Sequence, residues 1–135
     1  MDRSWTVLLV DDEPLFLDTL SKLLQRQHVL TLTAPDGPSA LALLRDRDAD
    51  AVLLDLKMPG MDGLETLREI KKIRPLTPVI ILTGHATLES GTEALKLEAY
   101  DFLTKPAKVS KLIETIQEAV RSRRLAEEAV RRDGR

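Results

Sequence analysis

Short apolar runs alternate with amphipathic stretches five times along this chain. The apolar runs are rich in valine, isoleucine and leucine, which is typical of strands buried on both faces of a sheet. These runs predict strands at residues 5–10, 29–33, 51–55, 78–83 and 100–104. Apolar residues recur at helical spacing in the intervening segments. This spacing predicts helices at residues 14–26, 39–47, between 62 and 75, 87–97, and from 108 onwards.

Regular alternation of strands and helices predicts an α/β fold with a doubly wound, five-stranded parallel sheet. The flavodoxin-like strand order 2-1-3-4-5 places the first and third strands side by side. Asp11 and Asp12 follow the first strand, and Asp55 ends the third. We therefore expect these three carboxylates to meet at one edge of the sheet.

The fourth helix has the weakest pattern of the five. It contains Gly91 and few apolar residues that could anchor it. A glycine inside a helix costs about 1 kcal/mol relative to alanine. This helix is therefore the segment that we expect to move most easily.

Composition narrows the classes of function. The 135 residues suit one domain, and 20 basic against 22 acidic residues give a net charge of −2. That balance argues against direct nucleic-acid binding, which needs a basic surface. The absence of cysteine excludes disulfides, thiolate zinc sites and cysteine nucleophiles. No apolar run approaches the roughly 18 residues of a membrane span, and no signal peptide is recognisable, so we expect a cytoplasmic protein without membrane contact.

The charge pattern changes after Val120. Residues 121–135 carry six arginines and three acidic residues, with good helix propensity. We predict a domain at residues 1–120 and a charged helical extension at 121–135, serving as a linker or tail. The arginines most simply form a solvated helix face, and the extension is expected to fray at 133–135.

Three converging carboxylates are costly unless a cation compensates them. A hard divalent ion such as Mg²⁺ suits this ligand set. A carboxylate can also attack phosphorus to give an acyl phosphate, whose oxygens need positive and hydroxyl partners. Thr83 closes the fourth strand and Lys105 closes the fifth, so the chain offers both groups at the same edge.

Four motifs now stand in order: DDEP at 11–14, LLDLKMPGMDG at 53–63, TG at 83–84 and KP at 105–106. Together they resemble the receiver domain of two-component response regulators, over about residues 5–120. Residues 84–103 resemble most the receivers that precede ATPase-type transcriptional activators. Glu98 departs from the glycine common before the fifth strand, and Ala107 from the bulky apolar residue that often follows Lys-Pro.

The resemblance implies roles for the residues at the sheet edge. Asp55 is expected to be the phosphoacceptor, which takes its phosphoryl group from a sensor histidine kinase. Asp11, Asp12, Asp55 and the backbone carbonyl of Lys57 are the implied Mg²⁺ ligands. Lys105 is expected to pair with the phosphoryl group of this phosphoprotein.

The resemblance also implies a switch. Thr83 would move to bond the phosphoryl group, and the ring of Phe102 would turn inward. The surface of helix four, strand five and helix five would then change, controlling an output domain, a partner or a homodimer. His85 is a candidate modulator of phosphoryl lifetime, and the bond before Pro106 is expected to be cis. Such a chain is not an enzyme, since it catalyses only its own phosphorylation and dephosphorylation.

Other interpretations remain at this point. The acid pair alone could cap a helix, and Lys105-Pro106 alone could simply end a strand. The same fold could serve as an interaction module that does not depend on phosphorylation. A magnesium-dependent phosphatase with an aspartyl intermediate would usually carry a second acid two residues after the nucleophile, where this chain has Lys57.

Overall fold

The computed structural model describes residues 5–58 and 60–133 as five strands and five helices in alternation. The strands are β1 (Thr6–Val10), β2 (Leu30–Ala34), β3 (Ala51–Leu54), β4 (Val79–Thr83) and β5 (Asp101–Thr104). The helices are α1 (Pro14–Arg26), α2 (Gly37–Asp46), α3 (Gly63–Ile73), α4 (Leu88–Lys96) and α5 (Val109–Asp133).

All strand pairs are parallel, and the order is β2-β1-β3-β4-β5, which confirms the predicted fold. Side chains alternate along β1, so that Leu8 and Val10 belong to the core beneath α2 and α3. Val7 and Leu9 belong to a second core, which includes residues of α1 and α5. Because the central strands β1, β3 and β4 are covered on both faces, their apolar runs are nearly continuous.

The predicted strand boundaries were wrong by one residue in several places. β2 begins at Leu30 rather than Val29, because the N–H of Val29 closes α1 by donating to Leu24 O at 3.1 Å. His28 makes this closure with a left-handed φ of 64°. β2 also continues to Ala34, one residue beyond its predicted end. At the remaining displaced ends, the predicted strand residue lies immediately outside the strand; these residues are Trp5, Asp55, Pro78 and Tyr100.

Helix ends also differ from prediction, by one or two residues in α2, α4 and α5. α2 begins at Gly37 rather than Ser39, because Asp36 is its N-cap and accepts a hydrogen bond from Ser39 N at 2.8 Å. After α4, Glu98 adopts a φ of 70°, the backbone conformation that favours glycine. Its N–H still donates to Leu95 O at 3.0 Å, so the chain turns tightly into β5 without glycine.

The last two helices follow the predicted pattern. Ala94 is the buried residue of α4, in agreement with its few apolar anchors. α5 continues without a break past Val120 to Asp133. Fraying was predicted at residues 133–135; Asp133 is the last helical residue, and residues 134 and 135 lie outside the described residues. None of the helices in the described ranges combines the length and apolar character needed to cross a bilayer.

Candidate functional site

Three aspartates meet where β1 and β3 end. Asp55 follows β3 directly, and its N–H donates to Val10 O at 3.0 Å, which ties the ends of the two strands together. Asp11 and Asp55 are only 2% and 4% exposed, whereas Asp12 is open to solvent. One carboxylate oxygen from each lies within 4.8 Å of the others. The structure thus brings together the three acids that the strand order predicted.

The loop after Asp55 is held by a close approach to Gly63. The N–H of Gly63 donates to Leu56 O at 2.8 Å, and a Cβ atom there would lie 2.4 Å from Asp55 O. Asp62 caps α3 by accepting from Glu65 N at 2.8 Å, as predicted. Only glycine fits at position 63, so the start of α3 is packed directly against the backbone that carries Asp55.

Among the described residues, Lys105 is the lysine whose ammonium group lies within ion-pair distance of these carboxylates. Its Nζ lies 2.6 Å from Asp11 Oδ2, 3.9 Å from Asp55 Oδ2 and 3.6 Å from Glu13 Oε1. Burial by itself would lower the pKa of Lys105, but the hydrogen bond to Asp11 and the negative charges of Asp55 and Glu13 outweigh it and raise the pKa above its usual value. The lysine therefore stays charged.

The donor set fits a divalent cation. Within the described residues, Asp55 Oδ1 is a buried oxygen that accepts no hydrogen bond, which is costly for a carboxylate without a partner. Asp11 Oδ1 accepts from Glu13 N at 3.0 Å, so that oxygen is already oriented. One lysine against three aspartates leaves excess negative charge, and all the acidic ligands are hard oxygens of the kind that Mg²⁺ prefers. Lys57 lies two residues after Asp55 with an exposed side chain, and the role of its carbonyl stays a prediction.

Thr83 is fully buried at the end of β4, on the strand next to β3. Its Oγ1 accepts a hydrogen bond from the backbone N–H of His85 at 3.1 Å. The side chain of His85 is exposed. This bond uses Thr83 Oγ1 as an acceptor and links the threonine to the loop that leads into α4.

Phe102 and Lys105 flank the β5 end of the site. Phe102 is half-buried against the core that includes Ala94, and its ring lies beside α4, 4.0 Å from where a Cβ atom on Gly91 would be. The N–H of Lys105 donates to Thr83 O at 2.9 Å, and the bond between Lys105 and Pro106 is cis. Thr83 and Lys105 therefore occupy the ends of neighbouring strands, whereas Phe102 lies within β5.

Two neighbours of Lys105 were not predicted. Glu13 adds a fourth carboxylate, and Phe16 places its ring centroid 3.9 Å from Lys105 Nζ. Glu13 stands directly after the acid pair, which is a usable signal in the sequence. Nothing in the sequence separates Phe16 from an ordinary buried residue of an amphipathic helix.

Comparison with known proteins assigns the chain to a family. The sequence model described as "Response regulator receiver domain" matches residues 7–117, most of the chain. This chain belongs to the response regulator receiver domain family. Its membership confirms the predicted resemblance and accords with signalling by phosphorylation, in which a receiver has a sensor kinase as its partner.

Among curated relatives, this receiver domain is 40% identical over 124 residues to "Transcriptional regulatory protein ZraR" of Klebsiella oxytoca, covering 92% of this chain and 28% of that protein. It is 36% identical over 126 residues to "Putative response regulator NtrX-like" of Rickettsia bellii, covering 92% of this chain and 26% of that protein. The receiver thus spans about a quarter of the length of these relatives. The name of ZraR agrees with the predicted likeness to receivers that precede transcriptional activators.

Solved structures give the same assignment. The CheY-like receiver domain protein from Methanospirillum hungatei JF-1 matches with a TM-score of 0.87 at 28% identity, over 92% of this chain and 99% of that one. NtrX from Brucella abortus matches with a TM-score of 0.86 at 37% identity, over 94% of this chain and 30% of that one.

Proposed function

We propose that this receiver accepts a phosphoryl group on Asp55 from a sensor histidine kinase in the cytoplasm, in a reaction that depends on Mg²⁺. The observation that carries the proposal is the unpartnered, buried Oδ1 of Asp55. This oxygen lies in a carboxylate cluster next to a charged lysine. Burying a carboxylate oxygen without a partner costs free energy, and a bound cation or phosphoryl group would supply that partner.

In the proposed reaction, a carboxylate oxygen of Asp55 forms the new bond to phosphorus while the phosphorus–nitrogen bond of the donor phosphohistidine breaks. The electron pair of that bond leaves with the imidazole. Lys105 Nζ, 3.9 Å from Asp55 Oδ2, pairs with the phosphoryl oxygens, and the hydroxyl of Thr83 donates to one of them. The chain catalyses only this transfer to itself and the later hydrolysis of its own acyl phosphate.

Asp11, Asp12, Asp55 and the backbone carbonyl of Lys57 would hold the magnesium ion. When bound, Mg²⁺ neutralises charge on the carboxylates and on the phosphoryl oxygens. The Asp11 carboxylate is oriented by its bond from Glu13 N, and the backbone that carries Asp55 is held by the bond of its N–H to β1.

The proposed output is a change of the surface formed by α4, β5 and α5. Bonding of Thr83 to the phosphoryl group alters its link to the loop before α4, and Phe102 repacks beside that helix. Leu88 and Leu95 lie seven residues apart on α4 and are 90% and 58% exposed, so this surface presents apolar groups to a partner. We propose that a homodimer or an output domain binds the two states with different affinity.

Asp55→Ala tests the proposal directly. The wild-type chain is incubated with acetyl phosphate and Mg²⁺, and acid-labile phosphate is measured on the intact protein by mass spectrometry. We expect phosphate on the wild type and on the control Asp18→Ala, a surface carboxylate paired with Lys22, and none on Asp55→Ala. Uptake by Asp55→Ala equal to wild type would refute the assignment. A wild-type chain that takes up no phosphate with or without the kinase would favour the interaction module that works without phosphorylation.

His85 has a narrower proposed role as a modulator of phosphoryl lifetime. It follows Thr83 by two residues, its side chain is exposed, and its N–H already bonds the threonine. The decay rate of phosphorylated His85→Ala, compared with that of wild type, measures this role. Because ZraR and NtrC are named as transcriptional regulators, we further propose that the output of this receiver is transcription.

A further inference from the structure

The ammonium group of Lys105 lies between carboxylates and an aromatic face. Asp11, Asp55 and Glu13 approach Nζ at 2.6–3.9 Å. The centroid of the Phe16 ring lies 3.9 Å from the same atom. The side chain of Lys105 is only 17% exposed, so the ring takes the place of water that would otherwise solvate the ammonium.

The segment that supplies the acid pair also supplies this ring. Pro14 begins α1 immediately after the acidic residues, and Phe16 lies in the first helical turn. The ring packs against the core of α1 and α5 residues, where Leu17 and Leu20 are buried. Its position is therefore fixed by helix packing as well as by its contact with Lys105.

Phe16 also lines two cavities. The first is a small cavity that it shares with Asp11 and Asp55. The second is an apolar groove of about 100 Å³ between α1 and α5, which Lys105 and Ala107 also line. Loss of the ring would enlarge this groove beside the stem of Lys105.

The physical interaction is a cation–π contact. The negative face of an aromatic ring attracts an ammonium group within about 6 Å, and the attraction strengthens when both groups are shielded from water. Leucine fills much of the same volume but has no such face. The ring thus holds the ammonium at the sheet edge in a way that apolar packing does not reproduce.

We propose that Phe16 is a positioning residue for phosphoryl transfer, whose ring holds the ammonium of Lys105 toward Asp55. This inference rests on the proposed phosphorylation of Asp55. In this role Phe16 acts through Lys105 and not by direct contact with the phosphoryl group.

The test compares Phe16→Leu, which removes the ring, with Phe16→Tyr, which keeps it. The maximal rate constant of phosphorylation is measured at saturating acetyl phosphate and Mg²⁺. We expect Phe16→Leu to lower this constant about five- to thirtyfold, the range between an exposed and a shielded cation–π contact. Phe16→Tyr should stay within about twofold of wild type. Leu23→Ala, in the same groove, is the packing control and should keep the wild-type rate despite lower stability.

A second readout does not depend on phosphorylation. In the wild type, the ring should shift the ε-methylene resonances of Lys105 upfield in NMR spectra, and this shift should disappear in Phe16→Leu and remain in Phe16→Tyr. If Phe16→Leu does not fold, Phe16→Met gives the same comparison.

A wild-type rate in Phe16→Leu, an equal loss in Phe16→Tyr, or an unchanged Lys105 resonance in Phe16→Leu would each overturn the inference. Failure of the wild type itself to accept phosphate would instead refute the proposed function, and the NMR comparison would still decide whether the ring holds the lysine.

Discussion

Arg123 ties the extension of α5 to the amino-terminal edge of the sheet. Its guanidinium bonds to Asp48 Oδ2, and it donates to Ala49 O at 2.6 Å and to Thr77 Oγ1 at 3.3 Å. Its Nε also donates to Glu127 Oε2 at 3.2 Å within the helix. One side chain thus joins α5 to the segments that precede β3 and β4. We predict that Arg123→Ala destabilises the domain and releases the helix beyond it.

The magnitude follows from exposure and partners. The side chain of Arg123 is 13% exposed and that of Asp48 is 34% exposed, so solvent screens the pair only in part. Hydrogen bonds to charged groups contribute about 1.5–3 kcal/mol each when shielded, and exposed ion pairs about 0–1 kcal/mol. After the substitution Asp48 keeps Thr77 Oγ1 at 2.9 Å and Ala49 N at 2.8 Å, so it is not left without partners. We therefore expect Arg123→Ala to cost about 2 kcal/mol, with about 1 kcal/mol coupled to Asp48.

The assay is urea unfolding of a double-mutant cycle formed by wild type, Arg123→Ala, Asp48→Ala and the double variant. Arg124→Ala is the matched control, since its side chain is exposed one residue away and should change stability by less than about 0.5 kcal/mol. Amide hydrogen exchange adds a local readout. Short helices are marginal in water by themselves, so residues 124–133 should lose protection in Arg123→Ala and keep it in Arg124→Ala.

Two results would refute this reasoning. The first is an unfolding free energy of Arg123→Ala within about 0.5 kcal/mol of wild type, because the buried contacts would then contribute nothing net. The second is a coupling energy near zero with a large single-variant loss, which would show that Arg123 acts through Ala49 O and Thr77 rather than through Asp48.

Three further predictions concern stability and switching. Burial acts to raise the pKa of Asp48, but hydrogen bonds from Arg123 and Thr77 hold this pKa below its usual value. The ionised Asp48 therefore stabilises the fold above the unfolded-state pKa of about 4, and this stabilisation is lost as pH falls through the lower folded-state pKa. Asp48→Asn should flatten the dependence of unfolding free energy on pH below about pH 5, and an unchanged slope would contradict the assignment. Gly63→Ala should lose about 1–3 kcal/mol in urea unfolding because the new Cβ would lie 2.4 Å from Asp55 O. The control is Gly91→Ala inside α4, where the new Cβ would lie 4.0 Å from the nearest atom, in the ring of Phe102. This variant should gain about 0.5–1 kcal/mol of unfolding free energy, and equal effects of the two changes would rule out the steric cause. Thr83→Ala should still take up phosphate but lose the phosphorylation-dependent change in amide exchange of α4, and a wild-type change would exclude Thr83 as the switch.

The sequence alone determined the fold and the residues at the sheet edge. Apolar runs of five or six residues alternate with helical patterns, and a parallel sheet covered on both faces buries both kinds of segment. Because four of the five strands end at or directly before a polar residue, the strand order was enough to bring Asp11, Asp55 and Lys105 together. Boundaries were less well determined, since capping contacts decided them: Val29 completes α1 rather than starting β2.

Tertiary structure alone decided which groups touch. Lys105 Nζ lies closer to Asp11 than to Asp55 and contacts the ring of Phe16. These contacts depend on the direction in which α1 leaves the sheet edge, and no local sequence pattern specifies that direction. Arg123 appeared in the sequence as one of six arginines in a charged extension, yet three of its partners come from segments 46–75 residues away. Periodicity indicates which face of a helix is buried, but contacts between distant segments depend on how the whole sheet and its helices pack.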